Sequence, residues 1–154
     1  MMRRDRRDRV LVVAIPIAAG ALYPPVLVFL AQVAAGRGVG ASLGGTLAAY
    51  ASRQLNLGLL SLIGLIPFAA LAASLRRMLE KRTLAQAAIP GGLGVAGALL
   101  VLLPVHWSFW PQYYGNGYPG FPHGLELIIA PFTAVLAMLA GLLAGWLILR
   151  LQAR

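Results

Sequence analysis

The chain contains no cysteine and very few acidic residues. Its 154 residues include 4 Asp or Glu against 13 Lys or Arg. The absence of cysteine excludes disulfides, thiolate catalysis, Cys-ligated zinc and Cys-ligated iron–sulfur clusters. It also excludes quinone-linked thiol oxidoreductases of the four-helix membrane type. Cysteine usage therefore carries no information about the redox compartment.

Charge of either sign is scarce along most of the chain. Charged residues make up 11% of the sequence and hydrophobic residues 60%, whereas a soluble domain carries about a quarter charged residues. This composition is typical of an integral membrane protein. The net charge of +9 is concentrated in short clusters beside apolar runs. It therefore indicates contact with a bilayer that has anionic headgroups at the cytoplasmic face, and not nucleic-acid binding.

Four apolar runs are long enough to cross a bilayer as helices, which takes roughly 20 residues. Their residues do not alternate at period two, so a membrane β-barrel is not indicated. The sequence predicts an all-α polytopic membrane protein with one transmembrane domain, 1–154. The predicted helices are 10–35, 57–75, 84–105 and 127–149, with outer loops at 36–56 and 106–124 and an inner loop at 76–83.

Basic residues predict the orientation of these helices. Five arginines precede the first run, four basic residues lie at 76–82 and two follow the fourth run, whereas the outer loops hold only Arg37 and Arg53. The positive-inside rule then predicts an inner-membrane protein with both termini in the cytoplasm. The first run is longer than the apolar core of a signal peptide, which is about 7–15 residues, so it is predicted to be retained.

Each run also contains proline, and weak internal similarity is visible. Residues 13–16 match 87–90, and residues 66–72 resemble 130–137, which favours two tandem helical hairpins, with chance similarity as the alternative. Tyr23 precedes Pro24 and Pro25, where the first helix is expected to be interrupted. Interrupted helices in transporters expose backbone groups to a solute near the midplane. Tyr23 is therefore a candidate pocket residue, although membrane helices also tolerate proline.

The fourth run carries small residues at a spacing of four, which places them on one helix face. Within it, Gly141 and Gly145 form a G-x-x-x-G pair that permits close backbone approach. This face is predicted either to help pack the four helices against one another or to dock a partner, which would be another membrane protein or a second copy. Its members are Thr133, Ala137, Gly141 and Gly145.

The first outer loop contains a helical pattern. Leu43, Leu47 and Tyr50 recur at helical spacing, which predicts a short interfacial helix capped near Ser42.

The second outer loop, 106–124, is rich in aromatic residues and has no Lys, Arg, Asp or Glu. Tryptophan and tyrosine concentrate where a bilayer meets water, and the Asn-Gly and Pro-Gly pairs are turn signals. We therefore predict a turn-rich cap on the outer surface. Aromatic residues with a few polar groups also form ligand pockets. The candidate pocket residues here are Trp107, Trp110, Tyr113, Tyr114 and Tyr118.

Two histidines and one carboxylate form the candidate metal site. His123 and Glu126 are three residues apart and can share a helix face, and His106 could fold back towards them. Two histidines and a carboxylate make a recognised open metal site. Plainer roles are also available, because an acid in the first helical turn suits the helix dipole. No other cofactor is predicted.

Three hypotheses for function remain. The central apolar runs contain no ionisable residue, which counts against a proton-coupled pump. The leading hypothesis is a non-enzymatic subunit or assembly factor of a larger membrane complex. The second is a homo-oligomeric small transporter or channel. The third is a membrane redox or metal-binding subunit that uses His106, His123 and Glu126.

Overall fold

The computed structural model of the protein describes residues 2–52, 56–116 and 124–152. Within these ranges the chain forms five α-helices and no β-strand. Four of the helices are long and apolar enough to cross a membrane, which confirms the all-α, four-helix membrane fold class. The helices are α1 (Met2–Ala34), α2 (Val39–Ala49), α3 (Leu57–Leu79), α4 (Leu84–Asn116) and α5 (Leu125–Gln152).

The long helices alternate in direction, so the bundle has two chemically different ends. Val13, in the first half of α1, lines the same cavity as Arg76, near the end of α3. Arg82, before α4, lines another cavity with Trp146, near the end of α5. We call this end of the bundle, with Arg76, Arg77, Lys81, Arg82 and Arg150, the basic end. The opposite end, formed by α2 and residues 106–116 of α4, is the aromatic end.

Two apolar clusters fill the bundle. The first includes Phe68, Leu71 and Met138 and joins α3, α4 and α5. The second includes Leu27 and Trp110 and lies towards the aromatic end. The most extensive helix contacts join α4 to α5 and α1 to α3. The four long helices therefore form two successive antiparallel pairs.

The helix ends differ from the predicted ends mainly at α4. We predicted a loop from 106, but α4 continues to Asn116, so the predicted cap is wrong for 106–116. Its apolar span of 32 residues rises about 48 Å at 1.5 Å per residue, which exceeds a hydrocarbon core of roughly 30 Å. A helix of this length is too long to lie wholly within the hydrocarbon core. The remainder of the predicted cap, 117–123, lies outside the described residues.

Basic segments lengthen the other helices beyond their predicted ends. α1 begins at Met2 rather than 10, and α3 continues to Leu79, which shortens the predicted inner loop. Arginine and leucine are strong helix formers, so the helices continue through these charged flanks. Capping side chains also fix two helix starts. Asn56 accepts the amide of Leu59 at 2.9 Å, and Thr83 and Gln86 exchange hydrogen bonds in a capping box before α4.

The predicted short helix in the first outer loop is confirmed as α2, but its predicted cap is wrong. Gly38 occupies the N-cap position without a side-chain hydrogen bond, and Ser42 is buried one turn inside the helix. The two faces of α2 are reversed relative to a soluble helix. Ser42 and Thr46 face the bundle, whereas Leu43 and Leu47 are 56% and 65% exposed. This pattern is typical of a helix whose outer face contacts lipid.

The prolines do not interrupt the helices. α1 remains helical through Pro16, Pro24 and Pro25, and α3 remains helical through Pro67. Pro24 and Pro67 are fully buried against neighbouring helices, which is how membrane bundles accommodate the lost hydrogen bonds. The interruption that we expected beside Tyr23 is therefore absent from the described helix.

Candidate functional site

His106 is buried at the aromatic end and connects two helices. Trp110, one turn further along α4, donates its indole N–H to His106 Nδ1 at 3.0 Å. An accepting Nδ1 carries no proton, so in the neutral ring the proton is on Nε2. Nε2 lies 3.5 Å from the hydroxyl of Tyr23 on α1. Both ring nitrogens of His106 are therefore engaged within the chain.

Tyr23 points into the bundle. A side chain at Gly64 of α3 would meet the Tyr23 hydroxyl, so this glycine provides the space that the phenol occupies. The Tyr23 ring also lies edge-on to His106, with centroids 5.1 Å apart, and contacts Phe68 at 5.7 Å. Tyr23, predicted as a pocket residue, thus holds α1 against α3 and α4.

The described residues do not bring the predicted metal ligands together. His106 is bound to Trp110 and Tyr23, as described above, and a Glu126 oxygen accepts the amide of Gly124 at 2.9 Å, at the start of α5. His123 lies outside the described residues. No group of three His, Cys, Asp or Glu side chains suited to a metal ion occurs within the described part of the chain.

The predicted aromatic residues divide into buried and exposed members. Trp110 is 1% exposed, whereas Trp107 is 50% exposed, and Tyr113 and Tyr114 are half-buried. Trp110 stacks on Tyr114 with centroids 6.1 Å apart. Tyr118 lies outside the described residues.

Sequence reasoning missed Phe109, which packs edge-on to Trp110 with centroids 5.1 Å apart. The spacing of residues 106, 109, 110, 113 and 114 is helical. From that spacing, the sequence could have predicted both the buried position of Phe109 and the continuation of α4 beyond His106.

A second polar network, which the sequence did not reveal, holds Arg37. Thr46 donates its hydroxyl to the Ser42 carbonyl at 2.8 Å and accepts the side-chain N–H of Gln32 at 3.1 Å. These bonds orient the Gln32 amide so that its oxygen accepts from Arg37 at 3.1 Å. Gln32 is fully buried, and a side chain at Gly45 would overlap its amide oxygen. Residues of α1 and α2 thus place one guanidinium group.

The turn between α1 and α2 brings Arg37 back over the end of α1. Gly36 has a φ of 83°, a conformation that favours glycine. The amide of Arg37 then donates to the Gln32 carbonyl at 3.1 Å. The guanidinium carbon lies 5.1 Å from the centre of the Tyr114 ring, which is cation–π distance.

A cavity of about 260 Å³ opens beside Arg37. Aromatic rings of α4 and small residues of α2 form its walls. Its lining residues are Arg37, Gly45, Ala48, Ala49, Ser52, Trp110, Tyr113 and Tyr114. Three of the aromatic residues that we predicted as pocket residues, Trp110, Tyr113 and Tyr114, thus line a cavity together with the guanidinium group of Arg37.

The small residues of α5 mostly face α4. A side chain at Gly141 would collide with the Leu93 carbonyl, and one at Gly145 would collide with the backbone of Pro90. The carbonyl of Ala137 contacts Gly97 in the same way. Thr133 is exposed and returns its hydroxyl to the Ala130 carbonyl at 2.9 Å. Backbone therefore packs directly on backbone between α4 and α5.

A different set of small residues remains exposed on α4. Ala88, Gly92 and Ala96 are spaced by four and face outwards, and a side chain at Gly92 would meet nothing within 4 Å. Ala88 and Gly92 border a cavity of about 320 Å³ between α1, α3 and α4. We call this region, with its neighbours Val12 and Ile15, the α4 groove. Its lining is almost entirely apolar.

Together these features define a small all-helical membrane protein in which the buried side chains of Gln32, Thr46 and His106 form hydrogen bonds within the described chain. Ser61 Oγ is the one buried side-chain polar atom of the described residues without a hydrogen-bond partner. No protein-family model, no curated protein and no solved structure matches this chain.

Proposed function

We propose that this protein is a non-enzymatic subunit or assembly factor that binds a transmembrane helix of a partner protein in the α4 groove. The observation that supports this most is the open face of α4. In the most apolar stretch of each long helix, between 22% and 39% of the residues are buried. Most of the apolar surface of the described bundle therefore faces lipid or another protein. In the α4 groove, Gly92 lies open beside a cavity.

Small residues are what helix docking in a bilayer requires. Lipid tails are as apolar as leucine, so helices associate there through close packing and hydrogen bonds. The G-x-x-x-G pair of α5 is already occupied by Leu93 and Pro90 of α4. The stripe formed by Ala88, Gly92 and Ala96 is not occupied by any described part of the chain. An incoming helix could therefore approach α4 as closely as α5 does on the other side.

The remaining hypotheses have less support. The imidazole of His106 is engaged by Trp110 and Tyr23, which favours a structural role over metal binding or catalysis. The transporter hypothesis was based on interrupted helices and on the possible duplication. The first of these is not observed, because the described helices are continuous through their prolines. A docking role requires neither feature.

The membrane and the orientation form part of the same proposal. The basic end carries Arg76, Arg77, Lys81 and Arg82, which favours a plasma (inner) membrane location with this end against anionic cytoplasmic headgroups. Both termini would then be cytoplasmic, and the aromatic end would lie on the outer surface.

Affinity purification from native membranes in mild detergent tests the proposal. The wild-type protein should retain one reproducible membrane-protein partner, identified by mass spectrometry. Gly92→Leu should lose that partner because its side chain fills the groove. Gly44→Leu is the matched control, since Gly44 is also helical, exposed and surrounded by open space.

Two results would count against a partner subunit. Retention of the same partner by Gly92→Leu would exclude the α4 groove as its docking site. Recovery of a second copy of this chain alone, lost in Gly92→Leu, would favour the homo-oligomeric transporter instead. Light scattering of the purified protein distinguishes these cases by mass.

A further inference from the structure

We infer that Arg37 is the centre of a phosphate-binding site at the aromatic end, and that its ligand is the phosphate of an anionic membrane lipid. The site is the cavity of about 260 Å³ walled by Trp110, Tyr113 and Tyr114. It is separate from the α4 groove, whose lining residues belong to other parts of α1, α3 and α4.

The guanidinium group is held in position before any ligand binds. Gln32 is fully buried, and the hydroxyl of Thr46 fixes which end of its amide faces Arg37. A surface arginine that only interacts with water requires no such buried support. Preorganisation of this kind lowers the entropy that a side chain loses when it binds a ligand.

Most of the hydrogen-bonding capacity of Arg37 remains available. A guanidinium group has five N–H donors, and one of them binds Gln32. No carboxylate of the described residues pairs with Arg37, whose other side-chain contact is the face of the Tyr114 ring. A planar set of donors beside a cavity matches the paired oxygens of a phosphate group.

The position of the cavity favours a lipid. α2 forms one wall of the cavity and turns Leu43 and Leu47 outwards, so this helix suits the depth of the lipid headgroups. The cavity is smaller than pockets for drug-sized ligands, which occupy roughly 300–1,000 Å³. One phosphate with its glycerol attachment fits these limits, while the acyl chains would lie along the apolar face of α2.

Native mass spectrometry of the detergent-purified protein tests this site with two lipid probes. Phosphatidylglycerol carries the phosphate, whereas diacylglycerol with the same acyl chains lacks it. Wild-type protein should prefer phosphatidylglycerol by at least about tenfold, as expected for charge-assisted hydrogen bonds. Arg37→Gln should abolish this preference, and Arg37→Lys should retain only part of it because the planar fork is lost.

Arg150→Gln is the matched control. Arg150 also lies 5.1 Å above an aromatic ring, that of Trp146, but at the basic end. Arg150→Gln should leave the preference for phosphatidylglycerol unchanged. Gly45→Ala provides a second variant, because its side chain would displace the Gln32 oxygen while leaving Arg37 in the chain. It should weaken the preference even if Arg37→Gln fails to fold.

Inorganic phosphate distinguishes the source of the ligand. If phosphate alone raises the melting temperature of the wild type but not of Arg37→Gln, while both lipids bind equally, the site takes soluble phosphate rather than a headgroup. A preference for phosphatidylglycerol that persists in Arg37→Gln and Gly45→Ala would overturn the proposal. Equal loss in Arg150→Gln would overturn it as well, because general charge attraction would then explain binding.

Discussion

The aromatic end and the α4–α5 interface are held together by opposite means. At the aromatic end, polar side chains meet through specific hydrogen bonds, as in the bond from Trp110 to His106 within α4 and that from Arg37, just after α1, to Gln32. Between α4 and α5, backbone meets backbone at Gly97, Gly141 and Gly145, where no side chain separates the two helices. Close packing and interhelical hydrogen bonds are the two contacts that stabilise helices in lipid, and this chain uses them in different places.

The difference predicts which substitutions each region tolerates. A glycine contact can only be damaged by adding atoms, since glycine has no side chain to remove. A hydrogen-bonded network is damaged by removing one partner, which leaves a buried polar group unpaired. The following predictions use matched variants to test this contrast.

The largest effect is expected from Gly141→Leu. The new side chain would collide with the Leu93 carbonyl and force α4 and α5 apart. We expect a loss of more than about 3 kcal/mol, beyond the usual cost of overpacking a core. Thermal unfolding in detergent, followed by circular dichroism, measures it. Gly92→Leu, on the open face of α4, should change stability by less than about 1 kcal/mol, and equal losses would contradict the account.

An intermediate effect is expected from His106→Phe. Phenylalanine fills the space but leaves the Trp110 N–H and the Tyr23 hydroxyl without their partner. We expect a loss of about 2 kcal/mol in the free energy of unfolding, the cost of a buried unsatisfied group. The same unfolding assay applies. Trp107→Phe, at a half-exposed position, should be nearly neutral, and an equal loss there would show that the network contributes nothing specific.

A smaller and more local effect is expected from Gln32→Leu. The substitution removes the acceptor of Arg37 and the donor to Thr46, at a cost of about 1.5 kcal/mol. Because these bonds join α2 to α1, hydrogen exchange should accelerate mainly at the amides of α2. Gln112→Leu, exposed at the same end of the bundle, provides the control. Uniform acceleration in every helix would contradict a local role.

The smallest effect is expected at a helix end that belongs to neither region. Asn56→Ala removes the side chain that caps α3. We expect a loss of about 0.5 to 1 kcal/mol, with faster hydrogen exchange confined to the first turn of α3. Asn56→Asp keeps the acceptor and should retain wild-type stability. A loss with Asp equal to that with Ala would exclude the cap as the cause.

The sequence was sufficient for the four long helices because hydropathy and length alone decide them. It was insufficient for the end of α4, where turn-forming residues after Tyr114 masked a helical spacing of aromatic residues that begins at His106. The fold determines neither the orientation of the helices in the membrane nor the partner protein, so both stay predictions.

The candidate sites depended on tertiary contacts that no local pattern records. The bond between Gln32 and Thr46 joins residues 14 apart through the packing of α2. The sequence also could not show which small-residue face packs inside the bundle and which stays exposed, because this depends on how the helices pack together. The face containing Gly141 is closed by Leu93, whereas that containing Gly92 is open.

Site-specific crosslinking tests the central claim, docking at the α4 groove, most directly. A photoreactive residue would replace Leu100, which continues the stripe of Ala88, Gly92 and Ala96 and is 76% exposed, or Leu136 of α5, which is 68% exposed. After illumination of native membranes, the variant at 100 should form one discrete crosslinked product with another membrane protein, and the variant at 136 should not. Crosslinking only at 136, or equally at both positions, would contradict the claim.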